Sequence, residues 1–171
     1  IEEKNGSFKV NLENIKVERK TGGSVSDSEL VSGIILDKEI VHSGMPRKIE
    51  NAKIALISEA LEIKKTEFEA KLNISSPNQI KAFLEEESQI LKEMVKSIKS
   101  TNANVVLCQK GIDDIVQHYM SKEGILAVRR IKESDMSKLA KSTGGRIVGS
   151  VNDLSTTDLG SAQNVEEKRI E

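Results

Sequence analysis

A chain of 171 residues with 26 basic and 27 acidic side chains has the length of one domain, and its near-neutral balance exerts no bulk pull toward nucleic acid or anionic membrane. No apolar run approaches the roughly 18 residues of a membrane span, and the opening IEEKNGSFKV lacks the basic-then-apolar order of a signal peptide. The expectation is a soluble, unexported, cytoplasmic domain in which Cys108, the single cysteine, sits in the apolar run NVVLCQ as a small buried hydrophobe.

In chain order, NIKVERK (14–20), SELVSGIILDKEIV (28–41) and ALEIKK (60–65) are β-type segments punctuated by TGGS and HSGMP and joined without helices. They predict antiparallel or mixed sheet in the first half. NAKIALI (51–57), ANVVLC (103–108), GILAV (124–128) and GRIVGS (145–150) predict short strands by length and residue type. Between them fall helical patterns over 77–101, 112–122 and 134–143, the last with Ser134 as N-cap and Gly144 as its stop. Strand and helix in alternation imply right-handed crossovers and a parallel sheet covered by helices, an α/β fold. DLGSAQNVEEKRI alternates weakly and predicts a returning last strand, so both chain ends read as strands continuing into something longer.

The helix over 77–101 is more than twice the length of its siblings. Ser76, Pro77 and Gln79 supply an N-cap hydroxyl, a first-turn proline and the far member of a capping box. About 25 residues at 1.5 Å each span about 37 Å, against about 17 Å for a five-residue strand, so half of the helix overhangs the sheet. Leu91, Met94, Val95 and Ile98 recur at helical spacing before the strand at 103–108 and form the sheet-packing stripe. Ile80, Phe83 and Leu84 then lie on the overhang. The long connection before it, containing Leu72 and Ile74, is a candidate binding loop or lid that climbs beside the helix, its apolar residues either packing against those of the helix or standing exposed, so that residues 66–90 make a prong.

Signals for chemistry are absent. His42 and His118 have no ligand-spaced partners, and there is no phosphate-cradling glycine loop, dinucleotide fingerprint or nucleophile elbow. Asp113 and Asp114 open a helix, where capping and the helix dipole account for them. No catalytic residue, metal or cofactor is assigned. Over 112–122, Ile112, Ile115, Val116 and Tyr119 form the face predicted to be buried, and Asp114, Gln117, His118 and Ser121 the polar one. A small-molecule or catalytic site at the strand carboxyl ends, near 110–114, is an alternative reading. Heptad spacing at 80, 84, 87, 91, 94 and 98 offers a coiled-coil arm, interrupted by Glu87.

The blocks ERKTGGSVSDSELVSGIILDKEIVHSGMP, NAKIALI, LEIKK, NVVLCQKGIDDIVQHYMSKEGILAVRRIKESDMSKLAKSTGG and DLGSAQNV, in this order and over nearly the whole chain, resemble the apical domain of a group II chaperonin. That family comprises the archaeal thermosome and its eukaryotic cytosolic relative. The resemblance implies a layered β/β/α apical domain, here one domain over 1–171, whose ends lead to an intermediate domain outside this chain. The overhanging helix and its loop resemble the helical protrusion that forms the built-in lid of such rings.

By the same resemblance, non-native polypeptide is contacted at the protrusion tip, matching Leu72, Ile74, Ile80, Phe83 and Leu84. A second contact is the helix face carrying Asp114, Gln117, His118 and Ser121, with a neighbouring loop near Gly22–Asp27. Partners are unfolded polypeptides and neighbouring subunits of a homo- or hetero-oligomeric ring. ATP and Mg serve the full-length protein through segments not present here, so this chain is expected to be no enzyme.

Overall fold

The computed structural model describes residues 2–4, 6–9, 15–19, 21–63 and 77–168. Its centre is a five-stranded sheet of β3 (Lys48–Ile57), β4 (Val105–Cys108), β5 (Leu126–Val128), β6 (Ile147–Val148) and β7 (Gly160–Glu166). The parallel strands run in the order β5-β4-β3-β6, and β7 lies antiparallel to the first part of β3. Ile54 shows the arrangement, with Val105 opposite on one side and Gly160 on the other. A separate antiparallel hairpin pairs β1 (Glu2–Lys4) with β2 (Ser7–Lys9).

Each central strand alternates between two buried faces, which explains why these strands read as continuous apolar runs. Ala55, Ile57, Val106, Cys108 and Ala127 pack with α1 (Pro77–Ser100) and α2 (Asp114–Lys122). Ile54, Leu56, Val105, Leu107, Leu126 and Val128 pack with Met136 and Leu139 of α3 (Glu133–Thr143). Topology dictates this division: β3, β4 and β5 step in one direction through α1 and α2, and α3 carries the chain back past β3 to β6, so right-handed crossovers place it on the opposite face. The α/β class is as expected. Cys108 is fully buried and its Sγ lies 3.2 Å from the Glu59 carbonyl; burial pushes its pKa to about 11, so it is a protonated core side chain at neutral pH.

The helices and strands of the second half lie where the sequence places them, while the β-type segments of the first half form no strands within 15–19 or 28–41. The cause is visible at Ile34, Ile35 and Leu36, where the middle residue faces outward and its neighbours pack on the α3 face of the sheet. An extended chain lying on an apolar face has period-two burial without a hydrogen-bonded ladder. Isolated anchors hold it: Val41 N–H donates to the Ala127 carbonyl (3.1 Å), Ile40 N–H to Glu167 (3.0 Å), and the Lys16 ammonium to Ile35 O (3.1 Å) and Asp135 (3.2 Å). Of 60–65, Leu61 makes a single parallel bridge to Ile112, and residues 64–65 lie outside the described residues. The predicted cap Ser134 is a second correction. The N-cap is Lys132, without a side-chain bond, and Glu133 and Asp135 place negative charge in the first turn instead. Gly144 ends α3 at φ 70°, as a left-handed stop requires.

The return from β6 to β7 brings two backbones together at Gly145 and Gly160, where a Cβ on Gly145 would lie 2.7 Å from the Gly160 nitrogen. Asp158 locks this connection. Its carboxylate accepts bonds from Arg146 Nε (2.6 Å), Ser155 Oγ (2.7 Å) and Ser155 N–H (2.9 Å). The Arg146 bond, then the Ser155 bonds, hold its pKa at about 2, below the ordinary 3.8. A depressed carboxyl contributes stability that is complete above its unfolded value and is lost as pH falls through the folded one. Urea unfolding followed from about pH 5 down to about pH 2 is therefore expected to show stability declining with acid, with a shallower decline in Asp158→Asn.

Candidate functional site

The 24-residue α1 begins at Pro77, the residue whose fixed φ and missing N–H suit a first turn. At its far end Lys99 reaches the Glu123 carbonyl (2.9 Å). Between 81 and 90 no side chain of this helix is buried, and from Leu91 onward the inward positions close completely, with Leu91, Val95 and Ile98 all at 2 % exposure or less. Met94 packs beside them. Phe83 is half-buried and Leu84 is 57 % exposed, flanked by the exposed Lys81–Glu85 pair. Leu72, Ile74 and the cap residue Ser76 lie outside the described residues, and Ile80 is described only as part of the α1 backbone.

The second helix, α2, is capped by Asp113, whose side chain accepts from Ile115 N–H (2.8 Å), as expected for an acidic helix start. Its buried positions are Val116, Gln117 and Met120. Two placements differ from the sequence reading. Gln117 is 4 % exposed, donating to the Ile112 carbonyl (2.8 Å) and to Asp114 (3.1 Å), and so it fastens the helix start rather than facing solvent. Ile115, expected inside, is 42 % exposed. The physical reason is the starting point: helical geometry begins at Asp114, so Ile112 enters the core as an extended residue. The inward stripe is then phased on 116, 117 and 120, which turns 115 outward.

The outward strip of α2 therefore carries Asp114, Ile115 and His118, all exposed, with Ser121 half-buried at its margin. Ser121 fits under the loop after Val41, since a Cβ on Gly44 would come within 2.6 Å of its Oγ. The same loop brings His42, distant in sequence, to a ring separation of 6.1 Å from His118. His42 Nδ1 accepts from Gly44 N–H (3.0 Å), which fixes its orientation. Tyr119 lies 6.0 Å from His118, and the Lys92 ammonium of α1 sits 5.9 Å from the Tyr119 ring centre, joining α1 to α2 at the surface. Sequence reasoning missed His42 and Lys92 as members of this surface, because only the tertiary packing of α1, α2 and the 42–45 loop unites them. The loop Gly22–Asp27 contains a 3-10 turn, Val25–Asp27, closed by a Ser24–Asp27 capping box, with Val25 90 % exposed.

At the strand carboxyl ends Glu59, Ala60, Glu62, Ile63 and Lys110 border an open notch of about 310 Å³, at the place where a small-molecule site was the alternative expectation. Among the described residues no three His, Cys, Asp or Glu side chains converge as a metal site, and no helix is long and apolar enough to cross a membrane. The arrangement offers exposed apolar and mixed polar groups on two helices anchored to the sheet, α1 from Leu91 onward and α2 through Val116 and Met120, which suits adhesion to another chain.

Residues 1–171 match the model of the TCP-1/cpn60 chaperonin family. A thermosome subunit of Pyrococcus abyssi is 59 % identical over 169 residues, which are 99 % of this chain and 31 % of that protein. Thermosome subunit beta of Thermococcus kodakarensis is 57 % identical over 164 residues, 96 % of this chain and 30 % of that one. In structure, an open-state monomer of a group II chaperonin from Methanococcoides burtonii superposes with a TM-score of 0.79 at 42 % identity, over 99 % of this chain and 36 % of that one. The chain thus spans about a third of the length of the relatives it matches.

Proposed function

The chain belongs to the TCP-1/cpn60 chaperonin family, and from that premise we propose that it is the apical, substrate-binding and lid domain of a group II chaperonin subunit, capturing non-native polypeptide. The observation that carries this is the contrast within each helix. Leu84 of α1 and Ile115 of α2 stand in solvent, while Leu91, Val95, Ile98, Val116 and Met120 on the same helices are fully packed. Leu84 and Ile115 are therefore accessible to a partner chain without any rearrangement of the core. In this reading the tip comprises Leu72, Ile74, Ile80, Phe83 and Leu84, at the end of a prong over 66–90 that also serves as the lid.

Asp114, Ile115, His118 and Ser121 form the second contact, and Gln117 supports it from below by holding the start of α2. In the same reading the loop around Val25, which is 90 % exposed, is a third contact. Capture by one copy is weak, and a ring of copies raises effective concentration without any new contact. ATP-driven closure of the cytoplasmic ring withdraws the tips into contacts with neighbouring subunits, a population shift driven from outside this chain. ATP and Mg belong to the rest of the parent protein, and this chain itself performs no catalysis. The residues present do not fit that pair: they include no phosphate-cradling glycine loop and, among the described residues, no convergent metal ligands. The test is light scattering of a denatured client diluted into buffer with the chain in molar excess. Scattering is expected to rise more slowly than with an equal mass of an inert protein, and identical curves would overturn the proposal.

A further inference from the structure

The chain leaving β5 turns sharply through Arg129 and Arg130 before Ile131 re-enters the core at 1 % exposure. Arg130 N–H donates to the Lys110 carbonyl (3.0 Å) and Ile131 N–H to the Cys108 carbonyl (3.1 Å), so the loops following β4 and β5 are stitched together. Lys110 and Arg130 are thereby neighbours, with Arg129 before them and the exposed Lys132 two residues on. None of these four cations is in an ion pair among the described residues, whereas Arg47 and Arg146 are held by Glu167 and Asp158.

The backbone at Arg130 adds a second, independent observation. Among the described residues three non-glycine residues have positive φ, and two of them are asparagines, Asn51 and Asn102, a type that tolerates the left-handed region. The third is Arg130, at φ 56°. Glycine would satisfy that backbone without steric penalty and arginine does not, and among the described residues no hydrogen bond or ion pair holds the Arg130 side chain.

We propose that the loop 129–132, with Lys110 beside it, is a docking site for a short acidic segment of polypeptide. This surface lies at the strand carboxyl ends, rests on charge where the contacts of α1 and α2 rest on apolar groups, and stands whether or not those capture clients. Two guanidiniums on a pinned loop suit paired, bidentate contacts to carboxylates, and Lys110 and Lys132 extend the field to either side. The surroundings favour a peptide over nucleic acid. Glu59 and Glu62 border the notch that Lys110 lines, and Glu133 follows Lys132, so the cationic stretch is short and suits a few carboxylates spaced along a peptide, while a continuous phosphate backbone would run on into like charge. Neither loop, 109–113 or 129–132, contains an aromatic side chain on which a base would stack.

Fluorescence anisotropy with a labelled peptide of alternating glutamate and serine tests the site, with a glycine-serine peptide and a short oligothymidylate as comparators. The acidic peptide is expected to bind more tightly than both, and its affinity to fall about tenfold or more when salt is raised from low to several hundred millimolar. Arg129→Gln with Arg130→Gln is expected to reduce binding to the level of the neutral peptide. Arg130→Gly keeps the assignment testable if the double variant folds poorly: it should weaken the acidic peptide several-fold while leaving the thermal midpoint unchanged or higher, because glycine relieves the left-handed backbone. Equal binding of the acidic and neutral peptides, undiminished binding in Arg130→Gly, or tighter binding of the oligonucleotide would each overturn the proposal.

Discussion

Ile98→Ala is expected to remove roughly 2–5 kcal/mol of folding stability, and Leu84→Ala less than about 0.5 kcal/mol, although both delete an aliphatic side chain from the same helix. Ile98 has no solvent exposure and belongs to the cluster formed by Ile57, Val106 and Cys108 of the sheet with Val116 and Met120 of α2. Truncation there leaves a cavity between three elements that are fixed by their own hydrogen bonds and collapse poorly around it. Leu84 is more than half in water already, and alanine is the stronger helix former. Urea denaturation of the two variants separates the cases, and equal losses would show that the first half of α1 is packed as tightly as the second.

The second large effect is on capture rather than folding. Phe83→Asp combined with Leu84→Asp is expected to bring client aggregation close to the rate seen without the chain, while the urea midpoint stays near that of the parent. Each large apolar side chain buried against a client is worth roughly 1.5–3 kcal/mol, so exchanging two of them for carboxylates weakens an already loose contact by about a hundredfold or more. The cost to folding is small because Leu84 is more than half exposed and Phe83 is only half-buried. Ile115→Asp on α2 is expected to have a smaller effect of the same kind, since it removes one exposed apolar group from a strip that keeps His118 and Asp114. Unchanged protection of the client by the double variant would remove the tip from the proposal.

What was legible in the sequence follows the strength of its local signals. The strands around Leu56, Val106 and Ala127 are buried on both faces and read as plain apolar runs, and Gly144 marks a helix end through its backbone freedom. The stripe Leu91, Val95, Ile98 is a single periodicity that needs no tertiary knowledge. Ile34 to Leu36 misled because alternation reports which side of an extended chain is covered, and says nothing about a partner strand. Gln117 and Ile115 were exchanged because the phase of a nine-residue helix depends on where it starts. Ile112 joins the apolar pattern of α2 yet precedes its first turn. The meeting of His42 with His118, and of Lys110 with Arg130, comes from packing between distant segments and has no local signature.

In the proposed function α1 is one helix with two duties, anchoring from Leu91 onward and client capture before it, with the outward strip of α2 as the second contact. Hydrogen exchange of the chain, measured by mass spectrometry with and without an excess of a permanently unfolded client, addresses this directly. Slower exchange is expected on client addition over 81–87 and 114–121, with no change over 91–98, which is already protected by the core. Protection confined to the strand carboxyl ends near 59–63 and 110, or absent throughout, would contradict it.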